Sequence, residues 1–506
     1  MGTIYLQIPA DLPAKAKEAL SRGYFAGLPD YMPWPSHLEL AGTELRAGKD
    51  IPESACLVLP WYLPASLDEI VLPGAAASPW MISTATLIER PASYRLPIEL
   101  ARGKINTLRN QAADWQAGGL NVTPAIAETL LKASLAFAEA VCRQDLPSGG
   151  QSALKALMQG LASADQLVNA YVDQVFSARL SRTPKLATRF ACALTGPPPS
   201  PEGTERFKAA FNTVRLPFHW RTCEAEPAKY HWDDFAARLE WAKDNNLAIE
   251  AGPVIDLSPE SLPPWLSEYF GDSQTLNNYM LDFLEAALNR FGSEIKPWQI
   301  MSAANFSHVL QVDEEEMIWL VSQLLSTAQQ VHPDGEHTLS LAQPWGDGLG
   351  ATGRHYAPFV FMDALLRSRV NLAALELELV NGPPARASYV RDRLDTSRML
   401  DLYALLGLPV QVAMGHPSSA ADDPLAEPDY VLSNDSPHPY HPDEQARWAE
   451  RFVPLCVCKP YVVAVTWSHW SDAAPHRLPH CGVLDAAAKP KPVLASLTSL
   501  REQRIR

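Results

Sequence analysis

From residue 186 onward the chain alternates short apolar runs with longer amphipathic ones. The short runs are 188–194, 213–216, 247–255, 298–304, 338–343, 372–379, 409–414 and 461–467. Between them, 232–245, 276–291, 314–331, 359–369, 397–406 and 443–452 carry apolar residues three and four apart, the spacing of a helix with one buried face. Eight strand–helix units in about 320 residues predict a (β/α)8 TIM barrel, a parallel sheet closed on itself and wrapped in helices. In such a barrel the C-terminal ends of the strands carry the chemistry.

Upstream the pattern changes twice. Residues 1–95 read as β-rich, with strand-like runs at 4–8, 37–40, 55–59 and 81–88 separated by turn residues. A small sandwich-like accessory domain is expected there, with Trp61, Tyr62, Trp80 and Tyr94 in its core rather than on a sugar-binding face. Residues 96–185 show three helical periods, at 98–117, 124–143 and 152–179, broken by Gly118-Gly119 and by Ser148-Gly149-Gly150. Pro97 suits the first turn of the first of them. The chain is therefore expected in three parts: a β-rich domain at 1–95, a helical connector at 96–185 and the barrel at 186–506.

Composition narrows the function classes. At 506 residues the chain exceeds one ordinary core, in keeping with several parts. A net charge of −15 without any basic run argues against nucleic acid. No apolar run reaches membrane-spanning length, so no membrane partner is expected. Seven scattered cysteines suggest no disulfide framework, and the N-terminus lacks a basic-then-apolar leader. Both features favour a cytoplasmic protein. Cys456-x-Cys458 with His480-Cys481 has a loose zinc-like outline, but buried strand cysteines explain it as well, and no metal is expected. Nor is a cofactor, since no GxSxG, Walker A or dinucleotide fingerprint is present.

Several barrel segments resemble the glycoside hydrolase family 10 endo-1,4-β-xylanases. Phe211-Asn212-Thr213-Val214 is similar to the second-strand motif of that family. Glu226-Pro227 with Tyr230-His231-Trp232 resembles its "EP" stretch, and Leu262-Pro263-Pro264-Trp265 its "LPxW". Residues 298–304 stand where "WDVVNEA" would be and 407–414 where "GLPIxITE" would be. Residues 465–472 resemble the eighth-strand "VTxWGxxD", and Lys489-Pro490-Lys491-Pro492 the final "KPAY". The order and spacing of these segments span almost all of 186–506. The resemblance implies a TIM barrel, cleavage of glycosidic bonds and a sugar ligand.

It also implies two glutamates, an acid/base after strand four and a nucleophile after strand seven, about 5–5.5 Å apart. On this alignment those positions hold Ala303 and Met414, and Ser302 replaces the preceding asparagine. Neither side chain can move a proton or attack an anomeric carbon, so the inherited retaining mechanism is expected to be absent. Where the resemblance implies a glutamine and a histidine on strand six, this chain has Glu376 and Glu378.

These two glutamates share one side of their strand, because residues two apart do so. Together beneath a barrel mouth they would repel, separating an acid from a base. Their separation of about 6.5–7 Å lies near the inverting range of roughly 6.5–9.5 Å. Two groups on one strand flank a sugar ring poorly, however, so one of them paired with Asp256, at the end of strand three, is the better catalytic candidate. The bland alternative is a buried ion-pair network with Arg215 or Arg354.

Trp467 and Trp470 are candidate sugar-stacking residues, and Asn305, His416, His469 and Trp345 are further candidate ligand contacts near strand ends. His308 and Asp347 lie in the same region. His416 and His469 with Glu376 or Glu378 could in principle hold a metal, though no tight ligand spacing points to one. The leading reading is a glycan-binding pseudoenzyme for an oligosaccharide or sugar derivative. A glycoside hydrolase with relocated carboxylates and an assembly scaffold are the alternatives.

Overall fold

A computed structural model describes residues 2–27, 32–74, 78–146, 148–306, 309–310, 312–347, 349, 356–382, 388–427 and 440–506. The barrel expected from the strand–helix repeat is present. Its parallel strands are β1 Arg189–Ala193, β2 Thr213–Leu216, β3 Ala248–Ala251, β4 Pro297–Met301, β5 Glu336–Leu341, β6 Ala374–Val380, β7 Val410–Gly415 and β8 Val462–Trp467. β8 closes onto β1, with Arg189 level with Ala464 and Cys192 level with Trp467. Between β3 and β4 the closure depends on Gly252, whose φ is +108° and whose added Cβ would lie 2.2 Å from the Gln299 carbonyl oxygen.

Register decides which side chains enter the bore. Glu376 is level with Gln411 and Glu378 with Ala413, while Leu377 and Leu379 are level with Val412 and Met414. Alternation along each strand then turns both glutamates, Gln411 and Ala413 inward, and the leucines, Val412 and Met414 outward beneath the helices. TIM barrels are ordinarily filled by branched apolar side chains. This bore instead buries Arg215, Glu250, Gln299, Ser340, Glu376, Gln411 and Thr466. Arg215, Glu250, Gln299 and Glu376 pair with one another there, whereas both polar atoms of the Gln411 side chain and the Thr466 hydroxyl are buried without a hydrogen-bond partner among the described residues.

The connector helices are α1 Leu96–Ala117, α2 Pro124–Cys142 and α3 Gly149–Leu180. Thr123 caps α2 by accepting from the Ile126 amide. Each long helix belongs to two cores. Leu96, Ile98 and Leu100 of α1, with Leu157 and Leu161 of α3, pack into the front core, whereas Leu108 and then Leu167, Val172 and Phe176 pack into the barrel core. These helices are thus shared between the two cores.

The front region builds two four-stranded sheets. One orders Tyr94–Arg95, Gly2–Gln7, Glu44–Lys49 and Ser36–Ala41; the other orders Pro33–Trp34, Tyr24–Ala26, Ala55–Trp61 and Trp80–Leu87. They share one core containing Ile4, Leu6, Leu45, Phe25, Leu57, Leu59 and Ile82. Trp61, Trp80 and Tyr94 are buried there. Gly103 of α1 touches the second sheet so closely that a Cβ would lie 2.2 Å from the Ser83 carbonyl oxygen. The same sheet reaches the barrel, where the Met81 amide donates to the Val390 carbonyl at 2.9 Å. No helix among the described residues is long and apolar enough to cross a membrane.

Candidate functional site

The two glutamates of β6 occupy different depths of the bore, and each has an arginine of its own. The lower one, Glu376, receives both ends of the Arg215 guanidinium from β2, Nη1 to Oε1 at 2.8 Å and Nη2 to Oε2. Gln299 Nε2 donates to Glu376 Oε1 at 2.7 Å, and Arg215 Nη2 also reaches Glu250 Oε1 at 3.3 Å. Burial opposes the charge on Arg215, yet Glu250 and Glu376 beside it outweigh that and push its pKa up. Glu376 is 1% exposed. It is a clamped member of a buried ion-pair network, held away from any ligand at the mouth. This placement corrects its candidacy as an acid or base.

Glu378 lies one pleat nearer the mouth, and its partners come from loops as well as strands. Ser340 Oγ of β5 donates to Oε1 at 2.6 Å, and Arg477 donates to Oε2 at 3.1 Å through Nη2. Arg477 Nη1 also stands 3.4 Å from Glu378 Oε1 and 3.9 Å from Asp256 Oδ2. One guanidinium therefore joins Glu378 to Asp256, and those two oxygens are no further apart than the sum of these distances. Asp256 accepts in addition from Ser302 Oγ at 2.5 Å and from the Ser258 amide at 2.9 Å. Ser258 Oγ donates onward to Glu427 at 3.2 Å. The repulsion expected between the two β6 glutamates is offset by these separate cations.

Ala303, where the resemblance implies an acid/base, is 1% exposed with a left-handed φ of +46°. Its amide donates to Ser340 Oγ at 2.8 Å, so its backbone orients the hydroxyl that holds Glu378. Met414, where the nucleophile is implied, is fully buried on the outward side of β7.

Most of the expected ligand contacts are spoken for elsewhere, and the phase of each strand explains why. Trp467 is level with outward Met414; it is 1% exposed, donates its indole N–H to the Cys481 carbonyl at 2.8 Å and meets Trp448 of helix Pro442–Cys458 edge-on. Trp470 packs on Phe207 at 5.0 Å, against the helix that follows β1. Neither ring offers a face to a sugar. Asn305 braces the β4 and β5 loops, exchanging hydrogen bonds with the Ala342 carbonyl and amide. His416 stacks on Trp448 at 5.3 Å and accepts from Asn381 Nδ2 at 3.1 Å, and burial lowers its pKa to about 3. His308 and Arg354 lie outside the described residues.

His469 meets Asp472 at 3.0 Å, and burial, followed by His476 beside it, lowers its pKa to about 4. With His476 these residues set three ligand-type atoms within 4.8 Å of one another. They suit an ion poorly. The two imidazoles stack at 4.3 Å and 15°, so their in-plane lone pairs cannot both aim at one point, and Lys491 already neutralises Asp472 at 2.5 Å. The group braces the loop after β8. Cys456 and Cys458 stand at the buried end of a helix, not on a strand as expected.

Trp345 lies to the side of the mouth. It lines a cavity of about 330 Å³ between the front region and the barrel, together with Tyr24, Met81, Lys104, Arg391 and Leu402. Arg391 sits 4.5 Å over the Trp345 ring, donates to Asp347 at 2.8 Å and to Tyr24 Oη at 2.9 Å. Asp347 is thus a brace for the front region. Sequence reasoning missed Arg477 and Ser340. Arg477 follows β8 in the Pro475-His476-Arg477-Leu478-Pro479-His480 stretch, where a single arginine in a loop carries no motif.

No family model matches the chain, and none of the curated proteins matches it. Among solved structures it is similar to xylanase 10B from Thermotoga maritima, 15% identical, covering 64% of this chain and 97% of that one with a TM-score of 0.47. Xylanase 10B from Thermotoga petrophila RKU-1, solved in complex with xylobiose, is 14% identical over 65% and 96%, with a TM-score of 0.46. Xylanase B from Clostridium stercorarium F9 is 15% identical over 62% and 96%, also at 0.46. At this distance the site has to be read from its own side chains.

Proposed function

We propose that the barrel binds a hydroxyl-rich ligand, an oligosaccharide or sugar derivative, at its mouth without cleaving it. The observation that carries this reading is Arg477 shared between Glu378 and Asp256. Hydrolysis of a glycoside needs one carboxyl group that still holds a proton to give to the leaving oxygen. Arg477 holds both carboxylates in one ion-paired group, and the chain has Ala303 and Met414 where the resemblance implies the acid/base and the nucleophile. The same array sets acceptors (Asp256, Glu378) beside a guanidinium donor (Arg477), which matches the hydroxyls of a sugar. With Trp467 and Trp470 in the core, recognition rests on hydrogen bonds rather than on ring stacking.

The test pairs product analysis with calorimetric binding on xylo-, gluco- and manno-oligosaccharides. Wild type is expected to bind at least one of these and to release no product, and Glu378→Gln or Asp256→Asn to weaken binding about tenfold, the loss of one charge-assisted hydrogen bond. Cleavage by wild type that disappears in Glu378→Gln would establish relocated catalytic carboxylates instead. Failure to bind any of the three sugar classes would sink the sugar reading.

A further inference from the structure

Helix α2 is apolar on both sides. Its inner side places Ile126, Ala133 and Ala140 in the cores, with Leu130 and Phe137 packed against them. Its outer side carries Ala127, Leu131, Leu135, Ala138 and Cys142, all exposed, at spacings of four, four, three and four. Leu131 is 57% exposed and Leu135 60%, and Leu146 just beyond the helix is 55% exposed. A helix apolar all round is ordinarily covered all round. The remainder of the outer face is two ion pairs, Glu128–Lys132 at 2.8 Å and Glu139–Arg143 at 3.3 Å.

We propose that this face is the interface of a two-fold dimer, in which α2 packs antiparallel on α2 of a second copy. The charge order selects this occupant. With Leu135 on the two-fold axis, Lys132 comes beside Glu139 of the second copy and Glu128 beside its Arg143, so each ion pair is extended across the interface. Leu131 then lies within one residue of level with the small Ala138 of the second copy, and Ala127 within one residue of level with its Cys142. In a parallel two-fold pairing the charged rows of the two helices lie on opposite sides of the apolar seam, so neither ion pair is extended across it. An isologous patch must be its own complement under a two-fold, and this one is. A net charge of −15 disfavours an anionic membrane as the alternative cover. One helix of 19 residues per subunit makes a small interface, so association is concentration-dependent.

Sedimentation or light scattering of the full chain should show the mass rising twofold with concentration. Leu131→Glu with Leu135→Glu should stay monomeric and melt at the temperature of dilute, monomeric wild type, because both side chains are already exposed in the single chain. Cys142 is the exposed cysteine among the seven, the others being buried. Ala127→Cys therefore supplies a clean cross-link. On one helix residues 127 and 142 are about 22 Å apart, so a 127–142 disulfide joins two chains, and it should form under mild oxidation while wild type stays unlinked. A wild type that is monomeric at every concentration, a double variant that still dimerises, or a Cys142–Cys142 link in wild type would each overturn the proposal.

Discussion

Glu376 and Glu378 stand two residues apart on the same face of β6, and each meets an arginine. The lower pair is carried by two barrel strands, fully enclosed, with Gln299 and Glu250 completing it. The upper pair depends on Arg477, whose side chain is 23% exposed and which sits on the loop after β8. A strand-borne counter-charge is fixed by the barrel itself, whereas a loop-borne one lies where water and a ligand can compete for it. Carboxylates of one sequence type thus divide into a structural layer and a candidate recognition layer, and the origin of the cation makes the difference.

Removing the cation at each level is the most direct way to break this contrast. Arg215→Leu strands Glu376 and Glu250 in the bore and is expected to cost about 3–5 kcal/mol of stability, read by urea unfolding. Arg477→Leu should cost less than Arg215→Leu, because Arg477 is itself 23% exposed and water can enter where it stood beside the buried Glu378, while weakening ligand binding. Equal losses for the two variants would abolish the distinction.

Acid sharpens it next, through groups outside both layers. Burial lowers His416 to about 3 and His219 and His469 to about 4, against about 6.5 in the unfolded chain. The unfolded chain therefore takes up protons first as the pH falls. The stability these neutral histidines contribute is complete above about pH 6.5 and is lost progressively towards pH 3–4. The melting temperature should fall across that window, and His416→Gln should make the fall shallower. A flat profile would show that these rings are not held neutral.

The smaller effects belong to the hinge between layers. Ser340→Ala removes the hydroxyl that links the Ala303 amide to Glu378, at an expected cost of about 1–2 kcal/mol by thermal unfolding. Ala303→Gly relieves a left-handed φ and should change stability by less than about 1 kcal/mol, in the stabilising direction. A large loss there would mean that the Ala303 methyl is needed for packing against Phe306 and Ala342.

The helices of the connector were legible almost to their ends. The expected 98–117 and 124–143 appear as Leu96–Ala117 and Pro124–Cys142, because amphipathic periods bounded by glycine and proline leave few alternatives. The eight strands were legible for a similar reason. The candidate site was not. A strand buried on both faces is apolar throughout, so its phase relative to the bore cannot be seen in its own residues. Met414 and Trp467 were therefore expected at the mouth and face the helices instead.

By itself the sequence determined the strand–helix repeat and the common face of Glu376 and Glu378. Only the tertiary structure decided which cation meets which acid. Arg215 lies 161 residues before Glu376, and Arg477 lies 99 residues after Glu378. No local pattern joins residues so far apart; closure of the barrel and the course of its last loop bring them within hydrogen-bond reach.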